Sequence, residues 1–182
     1  MIPFFLLCIN LSFAQDSLQC PNGMQSIQGE VGFVSKKKAH HFCIDQFEFP
    51  NIEGRFPTVN ITWNEAKNLC KSVNKRLCTD GEWELACSDS GHWKYPYGPD
   101  YDDKKCNTHS STFGKSGEYR ECVGSWKIFD LSGNVREWTA GGGVGSYGGY
   151  FNSRKGSNCK NWEAHSLLVK KNSIGFRCCK EL

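Results

Sequence analysis

Eleven cysteines in 182 residues constrain this chain more than any other feature, because their redox state decides how large a core it needs. Cys8 lies in an apolar stretch, "MIPFFLLCINLSFAQ", that ends in Ser12-Phe13-Ala14 and reads as a secretory signal over residues 1–14. The stretch is too short for the ~20 residues of a membrane span; the alternative is a buried N-terminal strand. Removing it leaves Cys20, Cys43, Cys70, Cys78, Cys87, Cys106, Cys122, Cys159, Cys178 and Cys179. An even number in an exported chain implies disulfides throughout a single domain over residues 15–182, in a secreted or periplasmic protein. Zinc is the competitor, but there is no Cys-x-x-Cys pair and the histidines do not fall at finger spacings. With hydrophobic residues at 38% and many turns, the crosslinks are a physical need: each removes unfolded-state entropy worth roughly 2–4 kcal/mol.

The formal charge of +3 is spread thinly, and its one like-charge run, Lys36-Lys37-Lys38, is a solvated loop rather than a nucleic-acid footprint. Two capping boxes mark helix starts, Thr62 with Glu65 and Thr79 with Glu82. Behind the first, Ala66, Leu69, Cys70 and Val73 recur at helical spacing; behind the second, Trp83, Ala86 and Cys87 make a shorter stripe. "HHFCIDQFEF" alternates Phe42 and Ile44 against Cys43, Asp45 and Phe47 as a strand, and "IGFRCC" reads as a closing strand. Between them, "YPYGPD", "FGKSGE", "LSGN" and "TAGGGVGSYGG" are turn-rich. The expectation is a loop-rich α+β domain with two short helices, short antiparallel strands, no internal repeat and no linker.

The stretches "CIDQFEFPN", "FPTVNITWNEAKNLC", "KRLCTDGEWELAC", "YPYG", "CN", "FDLSGNVREWT", "GGYF" and "GFRCC" follow one another in the order of the formylglycine-generating enzyme (sulfatase-modifying factor) family. The resemblance implies that family's variant of the C-type-lectin-like fold. It pairs Cys70 with Cys178 and Cys87 with Cys159. Sequence alone does not fix the remaining pairs; guesses are Cys20 with Cys43, Cys106 with Cys122, and Cys78 with Cys179, the last because both are taken to sit beside partners in the implied pairs. The resemblance also implies a calcium ion wrapped by "FDLSGNVREW", with side-chain oxygens from Asp130 and Glu137 and carbonyls from Gly133 and Val135, a hard-oxygen set suited to calcium. A second calcium would involve Asn107 and Thr108. The alternative for Asp130 and Glu137 is an Asx-type turn cap and a solvated strand carboxylate.

The family's catalytic members oxidise a substrate cysteine with two copper-binding cysteines shortly after an Arg-Gly-Gly-Ser stretch; soft thiolates suit Cu(I). Here that region is "GGYFNSRKGSNCKNWEAHS": Ser153 stands at the first position, and Cys159 is engaged by Cys87. Neither copper nor iron is expected, since the iron-using branch draws its ligands from an additional helical domain. His40, His41, His92, His109 and His165 are scattered over loops without a diagnostic spacing. Glu82 and Glu84 read as cap and helix-surface carboxylates. Trp63-Asn64-Glu65 lies in a helix turn rather than a sugar-selecting loop, and Asn60-Ile61-Thr62 is a glycosylation signal only in a eukaryote. The expected protein is an exported, calcium-binding, non-catalytic domain that takes an extended peptide or protein in a groove and has no nucleic-acid or membrane-spanning role. Tyr147, Tyr150, Phe151 and Arg154, with Lys155, supply contacts from a flexible glycine-rich loop; the alternative packs Tyr147 and Phe151 into the core. The rival function is a metal-dependent oxidoreductase of the formylglycine-generating or non-heme-iron type acting on a cysteine-containing or other protein substrate.

Overall fold

Both threonine caps start helices. In the computed structural model, which describes residues 19–31 and 38–182, helix α1 (Trp63–Ser72) begins with Thr62 Oγ1 accepting from the Glu65 amide at 3.2 Å and Glu65 Oε2 accepting from the Thr62 amide at 2.7 Å. Helix α2 (Asp80–Ser88) repeats the arrangement with Thr79 and Glu82. Helix α1 buries Ala66 and Cys70, but Val73 forms its C-cap and is exposed, so the apolar stripe stops one turn earlier than the spacing suggests. The signal segment at residues 1–14 lies outside the described residues. No helix among them is long and apolar enough to cross a membrane.

Eight strands form two four-stranded sheets. The first sheet pairs β1 (Met24–Val31), β2 (Lys38–Asp45), β8 (Cys178–Glu181) and β3 (Arg76–Leu77), in that order and antiparallel throughout. The second runs β6 (Glu163–Ala164), β5 (Val144–Tyr147), β4 (Arg136–Ala140) and β7 (Ile174–Phe176), with β4 and β7 parallel. "IGFRCC" is therefore two strands rather than one: β7 belongs to the second sheet, β8 to the first, and the chain changes sheets at Arg177. From Phe42 to Asp45 both faces of β2 are buried, unlike a half-solvated alternating strand. Phe42 and Ile44 enter a core with Ile27, Trp83 and Leu131. On the other face Cys43 is tied to Cys20, and Asp45 accepts from Lys75 Nζ at 2.6 Å and the Cys178 amide at 3.1 Å.

A second apolar cluster packs α1 residues Ala66 and Cys70 against Leu77, Trp138, Ile174 and Phe176. Disulfides staple these layers: Cys70–Cys178 holds α1 to β8, Cys78–Cys179 joins the neighbours β3 and β8, and Cys87–Cys159 fixes a long loop to α2. Cys106–Cys122 and Cys20–Cys43 complete the set, the same five pairs that the sequence suggests.

Glu82 is not a solvated surface carboxylate; it is fully buried. Beyond its capping bond it accepts from Arg76 Nη1 and Nη2, each at 2.6 Å, and lies 2.6 Å from His40 Nε2. Burial alone would raise its carboxyl, but the Arg76 bonds, the Thr79 amide and His40 outweigh burial and hold it below the ordinary value of 4.5. A carboxylate depressed in the folded state contributes stability that is fully present above the unfolded pKa and is lost as the pH falls through the folded one. Urea titrations of Glu82→Ala should show a loss of about 3 kcal/mol at neutral pH, from the broken buried pair, and a flatter decline below pH ~4.5. Glu65→Ala, which removes the exposed counterpart in α1, should cost much less.

Candidate functional site

The segment quoted as "FDLSGNVREW" curls because Asp130, Gly133 and Asn134 take left-handed φ values of 60°, 82° and 51°. At Gly133 the turn is tight as well as left-handed: a Cβ there would lie 2.3 Å from the Asn107 carbonyl oxygen. The side chain that organises this turn is Asn134. Its Oδ1 accepts from Asn107 Nδ2 at 3.1 Å and the Gly114 amide at 2.8 Å, and its Nδ2 donates to both oxygens of Glu48, at 3.0 and 2.9 Å.

The calcium donors implied by the family behave differently from one another. Glu137 is buried and has three of its acceptor sites filled: Arg177 Nη2 donates to Oε1 at 2.6 Å, while Arg177 Nε and Trp83 Nε1 both donate to Oε2 at 2.7 Å. A cation at Glu137 would face that guanidinium, so this carboxylate serves as the partner of Arg177 and not as an open calcium donor. Asn107 and Thr108 are also committed. Their carbonyls accept from the amides of Asn134 (2.8 Å) and Arg154 (2.9 Å), and the Thr108 hydroxyl lies 2.9 Å from that of Tyr101. The second set therefore does not fit a calcium ion. Asp130 does suit one. Its Oδ2 accepts from the Gly117 amide at 2.6 Å, while Oδ1 has no hydrogen bond among the described residues. Burial, with Glu137 and Glu118 adding repulsion, pushes its carboxyl up to about 7 against the pull of the Gly117 amide and Arg177. Glu48 is likewise raised, by burial and then by Asp130 and Glu137. Three buried carboxylates facing one guanidinium leave negative charge that a hard cation would neutralise.

Among the described residues one trio of metal-ligand types converges, His40, Glu82 and Glu181, with ligand atoms within 4.8 Å of one another. The Arg76 guanidinium already bridges both of its carboxylates, which makes the trio an ion-pair knot at the sheet edge.

The glycine-rich stretch from Ala140 to Ser157 is not the flexible loop its composition suggests. Its middle is β5, which is covered by Trp162 where Gly145 leaves room for the ring; a Cβ there would meet Trp162 Nε1 at 2.2 Å. Tyr147 is core, stacked on Trp83 with ring centroids 5.1 Å apart. Phe151 is mostly buried against the edge of Tyr150. Arg154 and Lys155 lie on the surface in a short 3-10 turn. Tyr150 and Phe151 nevertheless line a cavity of about 320 Å³ whose other walls include Arg136, Glu163, His165 and Lys171.

Arg136 was not legible as a site residue. Only 4% exposed, it donates from Nε to Ser146 Oγ (3.0 Å) and from Nη2 to the carbonyls of Ser146 (3.0 Å) and Asn161 (3.2 Å). Burial holds its pKa below the ordinary arginine value despite Glu163. His165, far from a solvated loop histidine, lies 2.8 Å from Ser146 Oγ, and burial lowers its pKa, so the ring is kept neutral. The available signal was charge within an apolar strand: "NVREWT" carries adjacent charged residues in a segment whose neighbours are core.

The sequence matches the family described as the sulfatase-modifying factor enzyme 1-like domain over residues 31–182. The chain belongs to that family. It is 31% identical over 98 residues to the inactive C-alpha-formylglycine-generating enzyme 2 of Bos taurus, covering 47% of this chain and 33% of that protein. It is 34% identical over 85 residues to the serine/threonine-protein kinase pkn1 of Chlamydia caviae, covering 46% of this chain and 13% of the kinase. The chain thus spans a third or less of the curated relatives it matches. PvdO from Pseudomonas aeruginosa shares the fold, with a TM-score of 0.65 at 17% identity over 87% of this chain and 92% of PvdO.

Because Glu137 and Arg177 are both buried, removing one charge strands the other. Glu137→Gln should lower stability by about 3–5 kcal/mol in urea unfolding; a loss under ~1 kcal/mol, the range of exposed pairs, would contradict the role given to it.

Proposed function

We propose that this sulfatase-modifying-factor domain is an exported, non-catalytic binding or scaffold module for a peptide or protein, with a structural calcium ion. The observation that carries this reading is that all ten cysteines from Cys20 onward are held in disulfides, leaving no thiol pair among the described residues for soft-metal chemistry. Ser153, where the family resemblance puts the first copper-binding cysteine, accepts the Tyr150 amide at 2.8 Å and braces the turn. A relative whose printed name is an inactive formylglycine-generating enzyme supports the same reading. Five crosslinks in a small domain suit an oxidising compartment.

The calcium ion would be held by Asp130 with the carbonyls of Gly133 and Val135, while Glu137 stays with Arg177. Its role is to neutralise the surplus carboxylate beneath the turn and so hold the adjoining surface in shape.

Thiol titration of the denatured mature protein, metal analysis, and oxygen consumption with cysteine-containing peptides test the main reading together. No free thiol, no copper or iron and no oxygen uptake are expected. Two free thiols with bound copper, or turnover of the peptide, would replace it with the oxidoreductase. For the ion, calcium should raise the melting temperature of the wild type and release protons on binding near pH 7, whereas Asp130→Asn should show neither effect. A wild-type melting temperature that is indifferent to calcium and to chelator would remove calcium from the proposal.

A further inference from the structure

Among the described residues two arginines are buried, Arg136 and Arg177, and they are satisfied to different degrees. Arg177 uses every N–H it has: Nε and Nη2 donate to Glu137, Nη2 also to the Phe129 carbonyl, and Nη1 to the carbonyls of Asp45 and Gln46. Arg136 places Nε and Nη2 on Ser146 and Asn161, but its Nη1 donates to nothing among the described residues. The nearest carboxylate, Glu163, approaches Nε at 3.5 Å and is half exposed. Nη1 is not a buried, unsatisfied atom: its two N–H groups are reached from outside, and Arg136 forms part of the wall of the 320 Å³ cavity, where an acidic ligand can take the place of water.

We propose that this cavity is a recognition pocket for a carboxylate group, with Arg136 as its principal ligand. The inference rests on the reading of the domain as a binding module and names what it binds. Lys171 and Tyr150 add a second cation and a hydroxyl to the lining, while Phe151 and Ile174 add an apolar wall. His165 is kept neutral by burial, so the lining carries two positive groups against one carboxylate, a surplus suited to a monoanion. Two features favour a carboxylate over phosphate: Glu163 would repel a dianion, and the apolar wall suits an aliphatic stem. The volume is at the small end for ligand sites, enough for a single acidic residue, a chain terminus or a small free acid.

The probes are an acetylated dipeptide with a free C-terminal carboxylate, its C-terminal amide, an amidated peptide with one internal Glu, and butyrate, each titrated by calorimetry and by the arginine side-chain NMR resonances at low salt. At least one carboxylate should bind with a shift of the Arg136 resonances, and the neutral amide should bind about tenfold or more weakly, as expected for loss of a charged hydrogen bond. Binding of the free terminus alone assigns a chain end, of the internal-Glu peptide a side chain, and of butyrate a small acid; each supports the pocket. Arg136→Gln should abolish binding. Because that change also removes bonds to the sheet, Glu163→Gln at the exposed lip is the paired variant: it removes the competing charge and should tighten binding about two- to fivefold. No saturable carboxylate binding, equal binding of the neutral amide, or weaker binding in Glu163→Gln would overturn the pocket. A protein without free thiols and without carboxylate binding would lose the pocket and keep the non-catalytic reading; turnover of a cysteine peptide would end that reading whatever the pocket does.

Discussion

The bidentate pair between Glu137 and Arg177 is the interaction on which the rest of the architecture leans. Arg177 stands where the chain leaves β7 in one sheet and enters β8 in the other, and Glu137 comes from β4 beside it. Through the same two side chains the end of β2, the entrance to the 130s turn and the indole of Trp83 on α2 are tied to one point. A charge taken out of water costs several kcal/mol unless every donor and acceptor is answered, so only an arrangement close to this one satisfies both residues. That requirement specifies the relative placement of the two sheets in a way that apolar contacts, which lack direction, do not.

Around that point the domain has two modest apolar clusters rather than one large core. Strands β3 and β6 are two residues long, and much of the chain between Ser90 and Val135 has neither helix nor strand. Long loops lose much entropy on ordering. The disulfides with sequence separations of 108, 101 and 72 close the longest of them. Asn134 performs a related task without a covalent bond, using its side-chain amide as a substitute for backbone partners in a stretch that has no ladder.

The helices, the family and the two cysteine pairs it implies are readable because each rests on local chemistry or on letter order: a threonine and a glutamate three residues apart cap a helix wherever it packs. Less of the site is legible in the sequence. Tyr147 and the glycines around it signal a mobile loop by composition, yet Gly145 is small so that Trp162 can cover the strand. Glu82 and Glu137 look alike in a sequence, one a helix carboxylate and one a strand carboxylate. Both are buried beside an arginine from another element, Arg76 on β3 for Glu82 and Arg177 between β7 and β8 for Glu137. Arg136 was overlooked for the same reason, since its burial comes from Asn161 and the Tyr150 turn, distant in the chain.

What the amino-acid order determined by itself was the set of local commitments: where helices begin, which segments turn, how many crosslinks an oxidised chain would need, and to which family the pattern belongs. What only the tertiary structure decided was the use of each charge. A carboxylate becomes a metal ligand, an ion-pair partner or a solvated surface group according to which cation lies within about 3 Å and how much water is excluded. Both are properties of residues brought together across the fold, and neither is written in the spacing of neighbours along the chain.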